Sequence, residues 1–324
     1  MASIKFSDTY IKDWTTIVGP LESDSRLKIN DLKMDDYYFG EKTFEKAEAK
    51  MQRVVINELL DRNKLKTQDV DFIVGGDLLD QISATSYACA DIPISLVGIY
   101  SACATFPESL IISSMFLQDK SIQKIVSVTS GHNLSAEKQF RYPIEYGSPK
   151  PHTSTFTTTA AVSTLISKTK GKIKLESATV GKVTDMGVTD ANNMGAAMAP
   201  AAAATLNEHL TDLKRSINYY DLILTGDLGC VGSKIFKEYC DSVFNIKLKK
   251  HNDAGCEIYL NSQETYAGGS GPACLPLVLF NKVVSSKKYK KILIIGTGAL
   301  HSKTFVNQKE SIPAIAHAVS LEVL

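Results

Sequence analysis

Three sequence elements occur twice in this chain, in the same order, and this repetition constrains the fold more than any other feature. The matched pairs are VDFIVGGDLLD (70–80) with YYDLILTGDLGC (219–230), IYSACATFPESLI (99–111) with GGSGPACLPLVLF (268–280), and KIVSVTSGH (124–132) with KILIIGTGALH (291–301). The copies lie about 150 to 170 residues apart, which is far longer than the period of a solenoid repeat. We therefore predict one duplicated half-domain rather than a repeat array.

Each copy shows the pattern of an α/β unit. Short β-branched runs that stop at glycines indicate buried strands, and the stretches between them indicate helices, as in TFPESLIISSMFLQDK (105–120). An apolar stripe from Phe44 to Leu59 predicts an amphipathic helix, whereas the polar residues before about Gly40 predict irregular structure. Strands that are apolar throughout favour parallel or mixed sheets with helices on both faces.

The predicted halves are residues 1–165 and residues 166–324, and the first contains an insertion at 131–156. This insertion, GHNLSAEKQFRYPIEYGSPKPHTSTF, is rich in Pro, Gly and Tyr. It is too long for a simple connector, so we expect it to lie over a site. In layered α/β folds, ligands bind beyond the strand ends where helix N-termini converge.

Composition excludes several classes of protein. The 36 basic and 35 acidic residues give a net charge of +1, which disfavours a nucleic-acid-binding protein. The six cysteines have no zinc-type CxxC spacing. The N-terminal MASIKFSDTY lacks the apolar stretch of a signal peptide, and no apolar run in the sequence approaches the roughly 18–20 residues needed to cross a bilayer. We therefore expect free thiols, a reducing compartment and at most a peripheral membrane role.

Cys103 is the candidate functional cysteine. It lies where a predicted strand ends and a helix begins, and the unpaired N–H groups there should lower the thiol pKa, as in nucleophilic cysteines. The alternative is that Cys103 is a small apolar residue that fills the core. Its sequence neighbourhood alone leaves both interpretations open.

The motif GIYSACATFPESL, the duplicated halves and the closing IIGTGAL resemble the thiolase and 3-ketoacyl-synthase superfamily. The resemblance implies a thiolase-like fold with two five-stranded mixed sheets in an αβαβα layered arrangement. It also implies that Cys103 stands where these enzymes accept an acyl group, and that the chain forms a homodimer.

The chain departs from the catalytic pattern of that superfamily. The histidine of ketoacyl synthases corresponds to Gly226 or Asp227, their second histidine or asparagine to Gly269, and the second cysteine of thiolases to Ile294. An ionised Asp227 would offer no donor to an oxyanion, and losing one such donor costs about 100- to 1000-fold in rate. We therefore expect no enzymatic activity. The alternative is a thiolase-type acyltransferase in which Cys103 is the nucleophile and His132 or His301 the base.

A second resemblance is more specific. EKQFRYPIEYGSPKP, TDMGVTDANNMGAAMAPAA, TGDLGCVG, YAGGSGPAC and IPAIAHAVSLE are similar to the stage V sporulation protein AD family. That family is implied to bind dipicolinic acid, pyridine-2,6-dicarboxylic acid, possibly as its calcium chelate. It is implied to support uptake of the acid into the developing spore, with the other proteins of the stage V sporulation A channel system, as a peripheral protein of the forespore or spore inner membrane.

The predicted ligand-binding residues are those able to meet a flat dianion between the halves. Backbone amides in the two Gly- and Ser-containing turns and the two matched histidines would contact carboxylates or the ring. The stretch TDMGVTDANNMGAAMAP is either a turn and N-cap before a helix or a loop that lines the pocket. The predicted set is Cys103, Ser101, His132, Asp185, Asn193, Asp227, Gly269, Ser270 and His301.

We predict no cofactor and no dedicated metal site. Calcium is expected at most as the counter-ion of the ligand, held by carboxylate oxygens. The candidates for that role are Asp77, Asp185, Asp190 and Asp227, although their spacing is not that of an EF-hand.

Overall fold

The computed structural model describes residues 2–141 and 150–324. The strands are β1 (Ala2–Lys5), β2 (Tyr10–Val18), β3 (Leu32–Lys33), β4 (Phe72–Gly76), β5 (Leu96–Gly98), β6 (Lys124–Gly131), β7 (Phe156–Thr157), β8 (Ala160–Ser167), β9 (Ile173–Val180), β10 (Leu222–Gly226), β11 (His251–Asp253), β12 (Gly269–Ser270), β13 (Lys291–Ala299) and β14 (Ala314–Val323). The α-helices are α1 (Pro20–Ser23), α2 (Phe44–Arg62), α3 (Ser83–Ala90), α4 (Thr105–Phe116), α5 (Asn133–Arg141), α6 (Met194–Asp212), α7 (Gly229–Phe244), α8 (Ala254–Ile258), α9 (Cys274–Val278) and α10 (Lys303–Asn307).

The duplication predicted from the sequence is visible in the strand order. The first half runs β2-β8-β6-β4-β5 and the second β9-β14-β13-β10-β11, so each half has its strands in the chain order first, fifth, fourth, second, third. In both halves the first two strand pairings in this order are antiparallel, and the last three strands pair in parallel. The thiolase-like α/β fold is confirmed. A short β2–β9 pairing joins the two five-stranded units into one continuous sheet.

The expectation of irregular structure before Gly40 is wrong. Strand β2 occupies Tyr10–Val18 and pairs along its whole length with β8. The strand is largely buried although several of its residues are polar: neighbouring elements cover Thr15 and Thr16 completely. The predicted amphipathic helix, in contrast, is α2, with Met51, Val55 and Leu59 buried.

Helices α4 and α9 form the layer between the two five-stranded units of this sheet. Helix α4 contacts β4 and β6 of its own half as well as β13 and β14 of the other, and α9 contacts both β8 and β10. Strand β13 packs so closely against α4 and the turn before it that two of its positions require glycine. A Cβ on Gly296 would lie 2.3 Å from the Pro107 ring, and one on Gly298 would lie 2.2 Å from the Ser101 carbonyl oxygen. Helices α2 and α3 cover the outer side of the first half, and α6 and α7 cover that of the second.

The insertion and the boundary between the halves can be located on this fold. The boundary predicted between residues 165 and 166 falls within β8, and the link between the halves is 168–172. The insertion contains α5 and the first residue of β7, while its central residues 142–149 lie outside the described part of the chain. No helix among the described residues is long and apolar enough to cross a bilayer.

Candidate functional site

Cys103 lines a cavity of about 120 Å³ between the two halves. It lies in a tight turn before α4, in which Ala102 has a left-handed φ of 49°. The strained turn is fixed by hydrogen bonds from the Ala104 amide to the Ser101 carbonyl (3.0 Å) and from the Thr105 hydroxyl to the Ala102 carbonyl (2.6 Å). The free Cys103 thiol is therefore held at the cavity wall, two residues before the helix begins.

The second half contributes a glycine turn to the same place. Gly268 and Gly271 have φ values of 114° and 103°, which residues with a side chain rarely adopt. The Gly271 amide faces the Cys103 sulfur, as does the amide of Cys103 itself. Ser270, in β12, lines the cavity beside them. The structure thus brings together the two turns that the sequence matched.

The predicted lowering of the Cys103 pKa is wrong. Burial raises the pKa of this thiol well above its ordinary value, and the nearby Asp227 carboxyl raises it further. The two backbone amides act in the opposite direction but are outweighed. Cys103 is therefore a neutral thiol at neutral pH, and the environment is not one that activates a nucleophile.

Asp227 is buried behind Cys103, in a turn with a φ of 71°. The Cys274 thiol lies beside it, and no nitrogen or oxygen donor of the described residues reaches either carboxyl oxygen. Burial, reinforced by Asp253, raises the pKa of Asp227 well above its usual range. This favours a protonated carboxyl, which can donate a hydrogen bond, over the ionised, acceptor-only group expected from the sequence.

Asp253 is a member of this buried cluster that the sequence did not single out. Its carboxylate accepts hydrogen bonds from the Thr225 hydroxyl (2.7 Å) and the Gly229 amide (3.0 Å), and His251 contacts the same hydroxyl at 2.8 Å. Burial raises the pKa of Asp253 to about 7, against these hydrogen bonds. Asp253 ends the three-residue edge strand β11, which was not identified from the sequence, so no sequence signal pointed to Asp253.

The two matched histidines occupy different environments. His301 lines the cavity and makes an edge-to-face contact with Phe140, with the two ring centroids 5.3 Å apart. Burial lowers the pKa of His301, so its imidazole is neutral. His132 is fully buried, away from the cavity, where it packs on Phe44 and donates from Nε2 to the Tyr37 carbonyl (2.8 Å). The turn after β6 therefore places His132 beside the start of α2 rather than on the cavity wall where the prediction put it.

Two further predicted residues lie beside the cavity rather than on its wall. Ser101 is buried, with its amide bonded to Thr105 and its hydroxyl 3.5 Å from His317 Nε2. Gly269 is buried in β12, where a Cβ would lie 2.7 Å from Ile258 and 3.1 Å from the Cys274 sulfur. Both position the turns that carry Cys103 and Ser270.

The acidic loop before α6 does not reach the cavity in the way predicted. Asp185 is exposed and accepts hydrogen bonds from Ser311 (2.6 Å) and the Gly187 amide (2.9 Å). Asn193 is the residue before α6, without a side-chain cap, and its neighbours Asn192 and Met194 line the cavity instead. Asn193 therefore lies at the start of a helix, as the first alternative for this stretch predicted, while Asn192 and Met194 line the pocket, as the second predicted.

The four aspartates proposed for calcium are not brought together. Asp77 is buried in the first half and accepts hydrogen bonds from Leu79 and Thr85, whereas Asp190 is exposed in the loop before α6. Among residues 2–141 and 150–324, no group of three or more His, Cys, Asp or Glu side chains could hold a metal ion.

Several wall residues were not among the predicted ligand-binding residues. Most are apolar or aromatic and come from the insertion, from α6 and from the loop before Ser101. Glu137, on the same wall, forms an ion pair with Lys150 at 2.6 Å. The missed wall residues are Leu78, Tyr100, Ala136, Glu137, Phe140, Ser154, Thr155, Thr157, Ala191, Asn192, Met194, Met198 and Ala299.

The expectation of free thiols is wrong for one pair. Cys230 and Cys256 are joined as a disulfide, with their Cα atoms 5.2 Å apart. Asp253 brings them together, since its carboxylate accepts from the amides of both Gly229, next to Cys230, and Cys256. The remaining cysteines, which are Cys89, Cys103, Cys240 and Cys274, are free thiols.

The likeness to solved structures places this fold among thiolase-like proteins. A crystal structure of a Xanthomonas campestris OleA variant matches with a TM-score of 0.63 at 12% identity, covering 98% of each chain. The cerulenin-bound form of OleA matches at 0.58 with 13% identity, and the acyltransferase ChlB3 at 0.57 with 10% identity, each again over 98% of both chains. At these identities the likeness concerns the fold alone.

The family is defined by closer sequence similarity. The family model for stage V sporulation protein AD matches residues 2–322. Stage V sporulation protein AD of Bacillus subtilis strain 168 is 40% identical over 317 residues, which is 97% of this chain and 94% of that protein. This chain belongs to the stage V sporulation protein AD family, a family of sporulation proteins.

Proposed function

We propose that this protein binds dipicolinic acid in the cavity at Cys103 and supports its uptake into the developing spore. In this role it acts at the forespore inner membrane with the other proteins of the stage V sporulation A channel system. The observation that carries the proposal is a small cavity whose cysteine is held as a neutral thiol. Such a site retains the pocket of the thiolase-like fold without an activated nucleophile.

The lining of the cavity suits a planar aromatic ligand. Tyr100, Phe140 and His301 contribute rings to the wall, and Met194 and Met198 contribute adaptable apolar surface. The carboxylates of the ligand would meet the Gly271 amide and the hydroxyls of the wall.

The charge of the lining favours the calcium chelate over the free dianion. Among the described lining residues there is no lysine or arginine, Glu137 is already paired with Lys150, and His301 is neutral. A dianion buried without a cationic partner would incur a large desolvation cost. The chelate of one calcium ion and one dipicolinate dianion carries no net charge, so calcium travels with the ligand in this proposal.

Titration calorimetry with dipicolinate, with and without equimolar calcium, tests the proposal. We expect binding that is stronger with calcium. Ala299→Leu fills the cavity from the end of β13 and should weaken binding by about 100-fold, or ~2.7 kcal/mol. Cys89→Ala removes a buried thiol on α3 that does not line the cavity, and should leave binding unchanged. The absence of heat with millimolar ligand in both forms would contradict the proposal.

Acyl transfer is the second candidate function. Two observations favour it: the Gly271 amide faces the Cys103 sulfur, and His301 is a neutral imidazole on the same wall. Incubation with acyl-CoA followed by intact mass measurement decides between the two candidates. A stable acyl adduct that disappears in Cys103→Ala would favour the enzyme, whereas an unmodified mass would favour the binding protein.

The role in uptake needs a separate test in sporulating cells. A strain that carries Ala299→Leu should produce spores with less dipicolinic acid than a strain that carries Cys89→Ala. Normal dipicolinic acid content in the first strain, with the protein present at its usual level, would instead indicate a structural subunit with a vestigial pocket.

A further inference from the structure

Four loops of this nearly neutral chain hold an extreme excess of lysine. Residues 117–124, 167–174, 245–250 and 285–291 contain thirteen lysines, one aspartate and no arginine. The whole chain has 36 basic and 35 acidic residues, so this excess is local and must be balanced elsewhere on the molecule. We call these four loops together the lysine-rich end.

The four loops are neighbours in space. The Lys168 ammonium donates to the Asp119 carbonyl, which joins the first two loops, and the Leu324 amide donates to the Lys172 carbonyl at 3.0 Å. The adjoining Val323 amide donates to the Lys290 carbonyl at 2.9 Å. Strand β10 completes the connection, because its Ile223 amide donates to the Lys250 carbonyl (2.8 Å) while Leu222 pairs with Ile292 of β13.

This end lies opposite the Cys103 cavity. Strand β13 begins at Lys291, in the lysine-rich end, and ends at Ala299, on the cavity wall. At a rise of about 3.3 Å per residue, the strand separates the two by roughly 26 Å. The lysines therefore cannot contact a ligand in the cavity. Only Lys172 and Lys291 of the thirteen form ion pairs with described residues.

Apolar side chains are exposed beside these lysines. Helix α4 ends in Met115 and Phe116, which are 50% and 43% exposed, directly before the first loop. Helix α7 ends shortly after Val243, which is 54% exposed, directly before the third. Large apolar groups surrounded by lysines are typical of surfaces that insert between phospholipid headgroups.

We propose that the lysine-rich end docks this protein on an anionic phospholipid surface. The proposal refines the membrane location in the proposed function and rests on it for its biological setting, while the docking itself is a property of this surface. Lysine supplies point charge without the planar donor fork that arginine uses on nucleic-acid bases and phosphates. The only aromatic residue within the four loops, Tyr289, is half-buried and offers no stacking platform.

Flotation with lipid vesicles tests the proposal on the full chain. Vesicles of phosphatidylcholine with about 30% phosphatidylglycerol should carry the protein at low salt, and raising the salt to about 0.5 M should release it. Vesicles of phosphatidylcholine alone should carry much less. Replacing Lys287, Lys288 and Lys290 with glutamate should weaken binding to the anionic vesicles by at least about 100-fold. A second variant, with glutamate at Lys247, Lys249 and Lys250, should do the same.

The matched control changes charge equally at the other end. Lys28, Lys33 and Lys42 are exposed in the segment between the end of β2 and the start of α2, and glutamate at these three positions should leave vesicle binding within about twofold. Equal losses in control and test variants, or no flotation with anionic vesicles, would overturn the proposal. Duplex DNA that binds with equal affinity and salt dependence would also overturn it.

For each variant, circular dichroism checks the fold and calorimetry measures the binding of calcium dipicolinate. A variant that binds ligand normally but no longer floats supports the docking surface. A wild-type protein that floats but binds no dipicolinate would contradict the proposed ligand and leave the docking surface standing, so the two failures are distinguishable.

Discussion

At the scale of single residues, burial decides the chemistry of the site, because it raises the pKa of both the Cys103 thiol and the Asp227 carboxyl. Cys103 lies between the halves as the repeated Ala-Cys pairs indicated, and Ser270 and His301 lie on the same wall. The electrostatics of Cys103 and Asp227 were predicted in the wrong direction, because burial depends on residues distant in the chain. Desolvation disfavours the charged form of both a thiol and a carboxyl, and here it exceeds the effect of the helix start.

The reactivity of Cys103 follows from these pKa shifts. Iodoacetamide reacts with thiolates, so Cys103 should be modified much more slowly than free cysteine at about pH 7 and faster as the pH rises. Asp227→Asn removes a carboxyl that raises the Cys103 pKa once it is ionised, so the substitution should move the alkaline part of the rate profile to lower pH. Peptide mass spectrometry of Cys103 over about pH 7 to 10 provides the measurement.

The corresponding controls are available in the same chain. Cys103→Ser should remove the adduct at this position, and Asp185→Asn, on an exposed loop, should leave the profile of Cys103 unchanged. A profile that is the same in Asp227→Asn and the parent would show that Asp227 does not act on this thiol.

At the scale of elements, the sequence identified those that recur and missed those that do not. Strands β4, β6, β10 and β13 end in glycine-containing turns and were found through their repetition, as was helix α4. Strand β2 was missed because its buried threonines look like surface residues in the local pattern. The group that satisfies Thr16 lies 15 residues away: both its amide and its hydroxyl donate to the Asp31 carboxylate. The individual wall residues of α5 and α6 were not singled out because apolar wall residues resemble ordinary core residues.

Helix α2 and the turn after β4 meet through two buried carboxyl groups. Glu48 accepts hydrogen bonds from Ser130 and Ser135, both at 2.8 Å. Burial raises the pKa of Glu48 to about 8, and the neighbouring Asp77 contributes in the same direction. Because the folded state holds this proton more tightly than the unfolded state, the contribution is fully present below the unfolded pKa and is lost as the pH rises through about 8.

The free energy of unfolding should therefore fall between about pH 5 and pH 8.5, by up to roughly 2–4 kcal/mol from this group. Glu48→Gln removes the titration and should flatten the dependence. Glu58→Gln, on the outer side of the same helix, should preserve it. Urea unfolding across the pH range provides the measurement, and equal slopes in the parent and Glu48→Gln would contradict the assignment.

At the scale of the whole molecule, two copies of one unit have become unequal. Cys103 faces the cavity, whereas its counterpart Cys274 is fully buried beside Asp227. The edge strands differ too. In the second half β11 is mostly buried, whereas in the first half β5 is half-buried, with Gly98 exposed, and contacts helix α3, which carries the exposed Tyr87. The first half therefore presents the more open sheet edge.

Strand β5 is the edge through which the expected homodimer should form. Its inner side bonds β4, since the Ile73 amide donates to Ser95 and the Ile99 amide donates to Gly75, so the alternate residues Leu96 and Gly98 direct their amides outward. Two-fold pairing of β5 with β5 would satisfy these groups, and light scattering should give twice 35.3 kDa. Tyr87→Asp, at a side chain that is 74% exposed, should weaken the dimer by about tenfold or more, whereas Tyr38→Asp, 48% exposed near the start of α2, should not. A monomer at micromolar concentration, or a dimer insensitive to charge at Tyr87, would show that this edge is not the interface.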